Sequence, residues 1–279
     1  MKLTVLVDNN TLIDKYFYGE PAASYYIETN EKKILYDVGY SEAFILNARK
    51  LNVNLLQLNY LIFSHGHLDH TWGFDPLLKM YVEADTSNFK IKKPTIIAHP
   101  KTFFHRPRSW IGGSGSLITE NRISNFFKIQ KKQKPVWITD KLVLLINIPQ
   151  SNDFELKDPF LKIKIGEKEI DDYMEDEVAL AYKGENGLVV VTACSHRGIC
   201  NIIEYAKKVC NEDRIFDVIG GFHLMNPKKE LLDKTIEYFS NLKPSNLHAC
   251  HCTDFKSKVA LSKIANIQEV GSGLILEYN

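Results

Sequence analysis

Apolar residues in this chain fall into many short runs separated by polar turns, and the period of each run predicts its backbone. KLTVLVD (2–8), ASYYIET (23–29) and KKILYDVG (32–39) are strand-type runs, with YGEP as a turn or loop between the first two. Residues 42–52 carry helical spacing, while LNYLIFS (58–64) and PTIIAHP (94–100) are buried strands. From His105 to Arg122 the composition turns loop-like, with HRPRSWIGGSGSL at its start. The second half repeats the style. VWITD and KLVLLINIP (136–149) form a strand pair, and EVALAYK (177–183) and GLVVVTAC (187–194) a hairpin around GEN. Ile199, Ile202, Ile203, Ala206 and Val209 predict an amphipathic helix over 199–210. RIFDVIGG, SNLHAC and LILEY are strands, Leu232, Ile236 and Phe239 mark another helix, and 255–265 a last one. This alternation predicts an α/β fold, read as a single domain 1–279 made of two similar halves.

Composition narrows the picture. In a chain of 279 residues with 44% apolar side chains, a sizeable core is available. The formal net charge is +1 with both signs intermixed, which argues against a nucleic-acid partner. The densest basic run, KIQKKQK (128–134), is read as a solvated loop or helix face. No apolar run approaches the ~18 residues of a membrane span, and the run before Asp8 is too short for a signal-peptide core. Five cysteines, four of them clustered beside histidines, do not make a disulfide framework. They predict a reducing, cytoplasmic setting in which thiols stay reduced or bind metal.

The strongest chemical signal is SHGHLDH at 64–70, directly after a buried strand. His65 and His67 are two apart and project to the same side of extended backbone. Asp69 and His70 follow where the chain turns towards a helix. Imidazole and carboxylate donors suit zinc first, with iron, manganese or nickel as alternatives.

SHGHLDHTWG, with LYDVG before it, resembles the metallo-β-lactamase superfamily over nearly the whole chain. The resemblance implies an αββα sandwich of two mixed sheets flanked by helices. It implies that His65 and His67 bind one divalent ion, that Asp69 and His70 bind a second in a binuclear site, and that Asp37 supports the ligands without touching metal. The second half departs from the usual pattern. INIPQSNDFE (146–155) lacks the expected histidine, and Cys194 stands at the position of a bridging aspartate. Together with GGFHL (220–224) and HCTD (251–254), this resembles a branch of β-lactamase-superfamily II metal-dependent hydrolases. That branch includes archaeal members assigned as a synthase joining a dihydropterin to ribofuranosylaminobenzene phosphate.

His196, between a buried strand and a helix, is the expected partner of His65 and His67. Cys194 is read as a thiolate ligand or as a small buried residue. Within HACHC (248–252), His248, Cys250 and Cys252 would alternate on one strand face. His251, on the other, is the expected ligand beside Asp69 and His70; a structural zinc knot is the competing reading. His223 is a ligand, an acid/base group or a structural residue. A bound ion lowers the pKa of water from ~15.7 towards ~7, supplying hydroxide at neutral pH. Asp69 and His223 are the candidate catalytic groups. The expected enzyme hydrolyses or transfers a small anionic ester, phosphoester or pyrophosphate, with one or two ions per chain. The alternatives are the pterin-linked synthase and a non-haem iron redox enzyme on the same fold. Arg197 at a helix start, and Arg106 and Arg108 beside Trp110 in a glycine-rich lid, are the expected substrate cations.

Overall fold

The computed structural model describes residues 1–30, 32–108 and 112–279. Its chain groups into two compact units. The first takes Met1–Lys132, Leu161–Asp171 and Gly271–Tyr278, and the second Gln133–Phe160, Asp172–Val270 and Asn279.

The first unit is built on a seven-stranded mixed sheet. Strands β1 (Lys2–Val7), β2 (Ser24–Thr29) and β3 (Lys32–Tyr36) form an antiparallel meander. Beside β3 run, all parallel, β4 (Tyr60–Ile62), β5 (Thr95–Ala98) and β6 (Ile129–Lys131). The last strand of the chain (Ile275–Glu277) pairs antiparallel with β1 at the other edge. Between the strands lie α1 (Ala43–Lys50), α2 (Leu68–Thr71), α3 (Phe74–Thr86) and α4 (Glu120–Ser124). Phe44, Phe63, Phe74, Leu77 and Tyr81 anchor the buried cluster beneath these helices. Parallel neighbours need crossovers, so the ends of β3, β4 and β5 share one edge of the sheet. Asp37 follows β3 and the histidine motif follows β4, which brings two distant sequence motifs side by side.

The second unit holds a six-stranded mixed sheet. It starts with β7 (Val136–Trp137) and β8 (Leu142–Ile146). A separate hairpin of β9 (Leu161–Ile165) and β10 (Lys168–Asp172) follows in the chain, and then β11 (Val178–Gly184) and β12 (Gly187–Val191). Next come β13 (Ile215–Gly221) and β14 (Asn246–Cys250), which leaves the strand at Ile275–Glu277 as β15. The order is β14-β13-β12-β11-β8-β7, parallel across β12, β13 and β14 and antiparallel elsewhere. The flanking helices are α5 (Ile199–Cys210), α6 (Lys229–Leu242) and α7 (Phe255–Leu261). The apolar face of α5, led by Ile199, Ile202, Ile203 and Ala206, packs on β8, β11 and β12. Every position of β8 and β12 is buried, which explains why their sequences are unbroken apolar runs rather than alternating ones.

Both sheets are mixed and each is flanked by helices, as expected. Three local readings differ. KIQKKQK contains β6, an edge strand whose residues are only partly buried. The β9–β10 hairpin has too few buried positions to show a strand period. β14 ends at Cys250, so the predicted alternation through Cys252 stops two residues early.

Candidate functional site

In the first unit the motif 64–70 is held from behind by Asp37. This carboxylate is fully buried and sits just past β3 in a left-handed conformation, φ 61°. It accepts from Ser64 N at 2.7 Å, from Ser64 Oγ at 2.6 Å and from the His70 ring at Nδ1, 2.7 Å. That bond places the His70 proton on Nδ1 and turns Nε2 outward, towards Asp69 Oδ2 at 3.5 Å. Burial alone would lower the pKa of His70, but the carboxylates of Asp69 and Asp37 raise it to about 10. Ser64 Oγ also contacts His65 Nδ1 at 2.8 Å, and His65 Nε2 lies 3.1 Å from His67 Nδ1. Two ligands ~2.0–2.1 Å from one tetrahedral ion lie about 3.3 Å apart. The pairs His65/His67 and Asp69/His70 bracket that separation, so the donor set fits the divalent metal that its chemistry implies.

The loop itself is tightly fitted. Gly66 has no room for a side chain: a Cβ there would lie 2.0 Å from Thr102 O and 2.3 Å from an Arg106 guanidinium nitrogen. The following turn is closed by Thr71 Oγ1, which donates to His67 O at 2.9 Å. Trp72 donates from Nε1 to Gly115 O at 2.9 Å, fixing the glycine-rich loop to α2's end.

The second unit presents its donors just past the ends of three neighbouring strands. Cys194 and His196 follow β12, His223 follows β13, and His251 follows β14. Ser195, His223 and His251 adopt left-handed backbone, φ 60°, 51° and 48°. For such side chains that is an unfavourable conformation, of the kind that clusters where chemistry rather than folding selects the residue. A sulfur of Cys194 lies within 4.8 Å of a ring nitrogen of His196 and of one of His251. Glu177, buried ahead of β11, accepts from His196 N at 2.7 Å and from Arg197 N at 2.5 Å, and its Oε1 lies 3.4 Å from His196 Nδ1. Burial raises the Glu177 pKa, and those backbone donors oppose the rise. Glu177 thus fixes the backbone that carries His196, whereas Asp37 also bonds the His70 ring itself. Nothing in the local sequence around Glu177 marks it.

His248 is committed elsewhere: its Nδ1 lies 2.9 Å from Asp217 Oδ1, a buried pair across β14 and β13. Cys252 donates from Sγ to Cys194 O at 3.3 Å. Among the described residues, no grouping of ligand-type side chains includes His248, Cys250 or Cys252, so the zinc-knot arrangement does not form.

The expected substrate cations are placed differently. Arg197 donates from Nε to Ile148 O and from a terminal nitrogen to Tyr173 O, each at 3.0 Å, bracing two loops. Arg106 is fully buried against Gly66 rather than facing solvent as a lid, because the loop folds inward beneath the motif. Arg108 is half-buried, and Trp110 lies outside the described residues. The N-terminus of α5 is already occupied. Glu155 caps it, accepting from Cys200 N and Asn201 N at 2.9 Å each, with Asn152 Nδ2 at 2.8 Å. Gly198, φ 96°, makes room for this carboxylate: a Cβ there would lie 2.2 Å from it. An anion-binding helix end facing a substrate is therefore replaced by an internal cap.

The profile of the metallo-beta-lactamase superfamily matches residues 18–84, which include Asp37 and the whole histidine motif. The chain belongs to that superfamily. An uncharacterized protein of Methanocaldococcus jannaschii, MJ0448, is 30% identical over 95% of both chains. From the same organism, a protein named 7,8-dihydropterin-6-methyl-4-(beta-D-ribofuranosyl)-aminobenzene-5'-phosphate synthase is 28% identical over 92% of this chain and 89% of its own. Among solved structures, Tm1679, described as a metal-dependent hydrolase of the beta-lactamase superfamily, is 26% identical. It superposes with a TM-score of 0.82, covering 99% of this chain and 98% of that one.

Proposed function

We propose that this chain is a metal-dependent hydrolase acting on a small anionic ester, phosphoester or pyrophosphate. Its ligands would be His65, His67, Asp69 and His70 in the first unit and His196 and His251 in the second, with Cys194 as a further thiolate donor. The observation that carries the reading is the spacing of the two donor pairs in the loop 65–70, each braced by a buried hydrogen-bond network. One or two divalent ions, zinc first, would supply Lewis acidity and an activated water. Asp37 keeps His70 in the tautomer and orientation that binding needs, and Glu177 anchors the backbone at His196. Asp69, a quarter exposed, is the carboxylate placed to take a proton from attacking water. Arg108, half-buried in the same loop, is the proposed contact for an anionic substrate.

Two further readings go with this one. The 279 residues act as one domain, and the protein works in a reducing, cytoplasmic setting. The second is supported by five buried cysteines, none of them in a disulfide. The test is elemental analysis of purified protein beside His65→Ala and His67→Ala, followed by turnover of a phosphoester and lactone panel. Unchanged metal content in both variants would overturn the ligand assignment.

A transferase reading is favoured by one observation, the near full-length similarity to the synthase of M. jannaschii. The same residues would then direct an acceptor other than water. Product analysis in ¹⁸O water separates the two: a hydrolase places the label in its product, and a transferase does not.

A further inference from the structure

Within the second unit a cavity of about 470 Å³ opens beside His196 and His223. Its size falls in the range of small-molecule sites, roughly 300–1,000 Å³. Phe154, Phe222, Leu224 and Leu231 make much of an apolar lining. At one side three rings form a partial cage: Phe160 meets His196 edge-on at 4.7 Å and His223 at 5.0 Å, and the two imidazoles lie 4.6 Å apart. His223 is held there in left-handed backbone, half-buried, and belongs to none of the ligand groupings among the described residues. The rim is charged with both signs. Lys157 pairs with Glu230 at 3.0 Å, Asp158 adds a carboxylate, and Lys228 has no ion-pair partner among the described residues. The Glu155 carboxylate in the lining is committed to α5.

We propose that this cavity binds a flat aromatic or heteroaromatic group of the substrate, with the group's polar edge at the mixed-charge rim. Rings prefer edge-to-face or offset contact with other rings, which the Phe160, His196 and His223 arrangement offers from one side. The remaining apolar lining, Phe154, Phe222, Leu224 and Leu231, offers further nonpolar contact, and the charged rim accepts ring N–H and C=O groups. Aliphatic chains would fill the same volume but gain nothing from the three rings. The link to catalysis rests on the hydrolase reading, because His196 is shared by the cavity and the proposed ligand set. Binding itself does not rest on it.

The test uses the full-length protein as purified and the neutral bicyclic lactam 2-quinolinone, with its saturated decahydro counterpart as comparator. Calorimetric or NMR titration should show the flat lactam binding at least about tenfold tighter than the puckered one. Leu231→Trp, which fills the wall, should weaken 2-quinolinone by a further factor of about ten. Equal affinities of wild type for the two lactams would overturn the proposal, and this comparison stands whether or not the variant folds. Tight, selective binding by protein that carries no metal and turns nothing over would sink the hydrolase reading and leave the aromatic cavity intact. Metal-dependent turnover without discrimination between the lactams would do the reverse.

Discussion

Replacing Asp37 by asparagine is the sharpest test of how the metal loop is built. The change conserves shape, so its effects report hydrogen bonding and charge. Asp37 accepts three bonds at 2.6–2.7 Å through two oxygens, with no solvent to replace them. An amide keeps one acceptor and turns the other position into a donor. If its oxygen stays on Ser64 N, the amide nitrogen faces His70 Nδ1. The imidazole must then accept at Nδ1 and carry its proton on Nε2, the atom meant for the metal. Loss of such a supporting carboxylate costs about 10–100-fold in metal affinity, which is roughly 1.4–2.7 kcal/mol. Removing bonds to a buried charge also weakens the fold, by about 2–4 kcal/mol once Ser64 Oγ turns to accept from the amide. We predict both effects. Zinc affinity is to be read by competition with a fluorescent chelator, and stability of the metal-free protein by urea denaturation. Affinity within twofold of wild type, in a variant that still folds, would refute the claim that Asp37 sets the His70 tautomer.

Three further predictions follow from the same geometry. The His70 pKa is raised from 6.5 to about 10 in the metal-free protein. The stability it contributes is therefore full below 6.5 and is lost as pH rises through about 10. Metal must displace that proton, so apparent affinity should climb about tenfold per pH unit across this window, and a flat profile would refute the assignment. Gly66→Ala should cost about 3 kcal/mol and abolish metal uptake, because the new Cβ meets the Thr102 carbonyl at 2.0 Å; a melt and metal content close to wild type would show that the loop has slack. Glu155→Gln should lower stability by about 2 kcal/mol, since the amide can accept from only one of Cys200 N and Asn201 N; an unchanged thermal midpoint would mean that the cap is dispensable.

Much of this fold is legible in the sequence. The proposed metal loop is contiguous, follows an apolar strand and carries four ligand-type side chains in six residues, so local spacing alone marks it as a candidate. The helix 199–210 matched residue for residue, because its buried face keeps a clean helical period. What escaped was long-range. Glu177 lies 19 residues before His196 in the chain, and Glu155 45 before Cys200. Neither carboxylate differs in sequence from an exposed one until the fold buries it. The sequence suggests substrate cations at Arg197, from its place at a helix start, and at Arg106, from its glycine-rich loop; the fold instead sets Arg197 on backbone carbonyls and buries Arg106 entirely. β6 and the β9–β10 hairpin leave no such signal, because edge and projecting strands bury too little for a two-residue period to emerge.

The left-handed residues past β12, β13 and β14 bear on how this protein would respond to selection. Ser195, His223 and His251 each hold a conformation that costs an ordinary L-residue roughly 1–2 kcal/mol and glycine almost nothing. A library screened only for heat resistance should therefore drift towards glycine or asparagine at these positions, gaining stability as it loses imidazoles. One screened for turnover should hold the histidines and recover its losses in the two hydrophobic cores. Sequencing survivors of the two screens side by side would map, position by position, where this chain gives up robustness for chemistry.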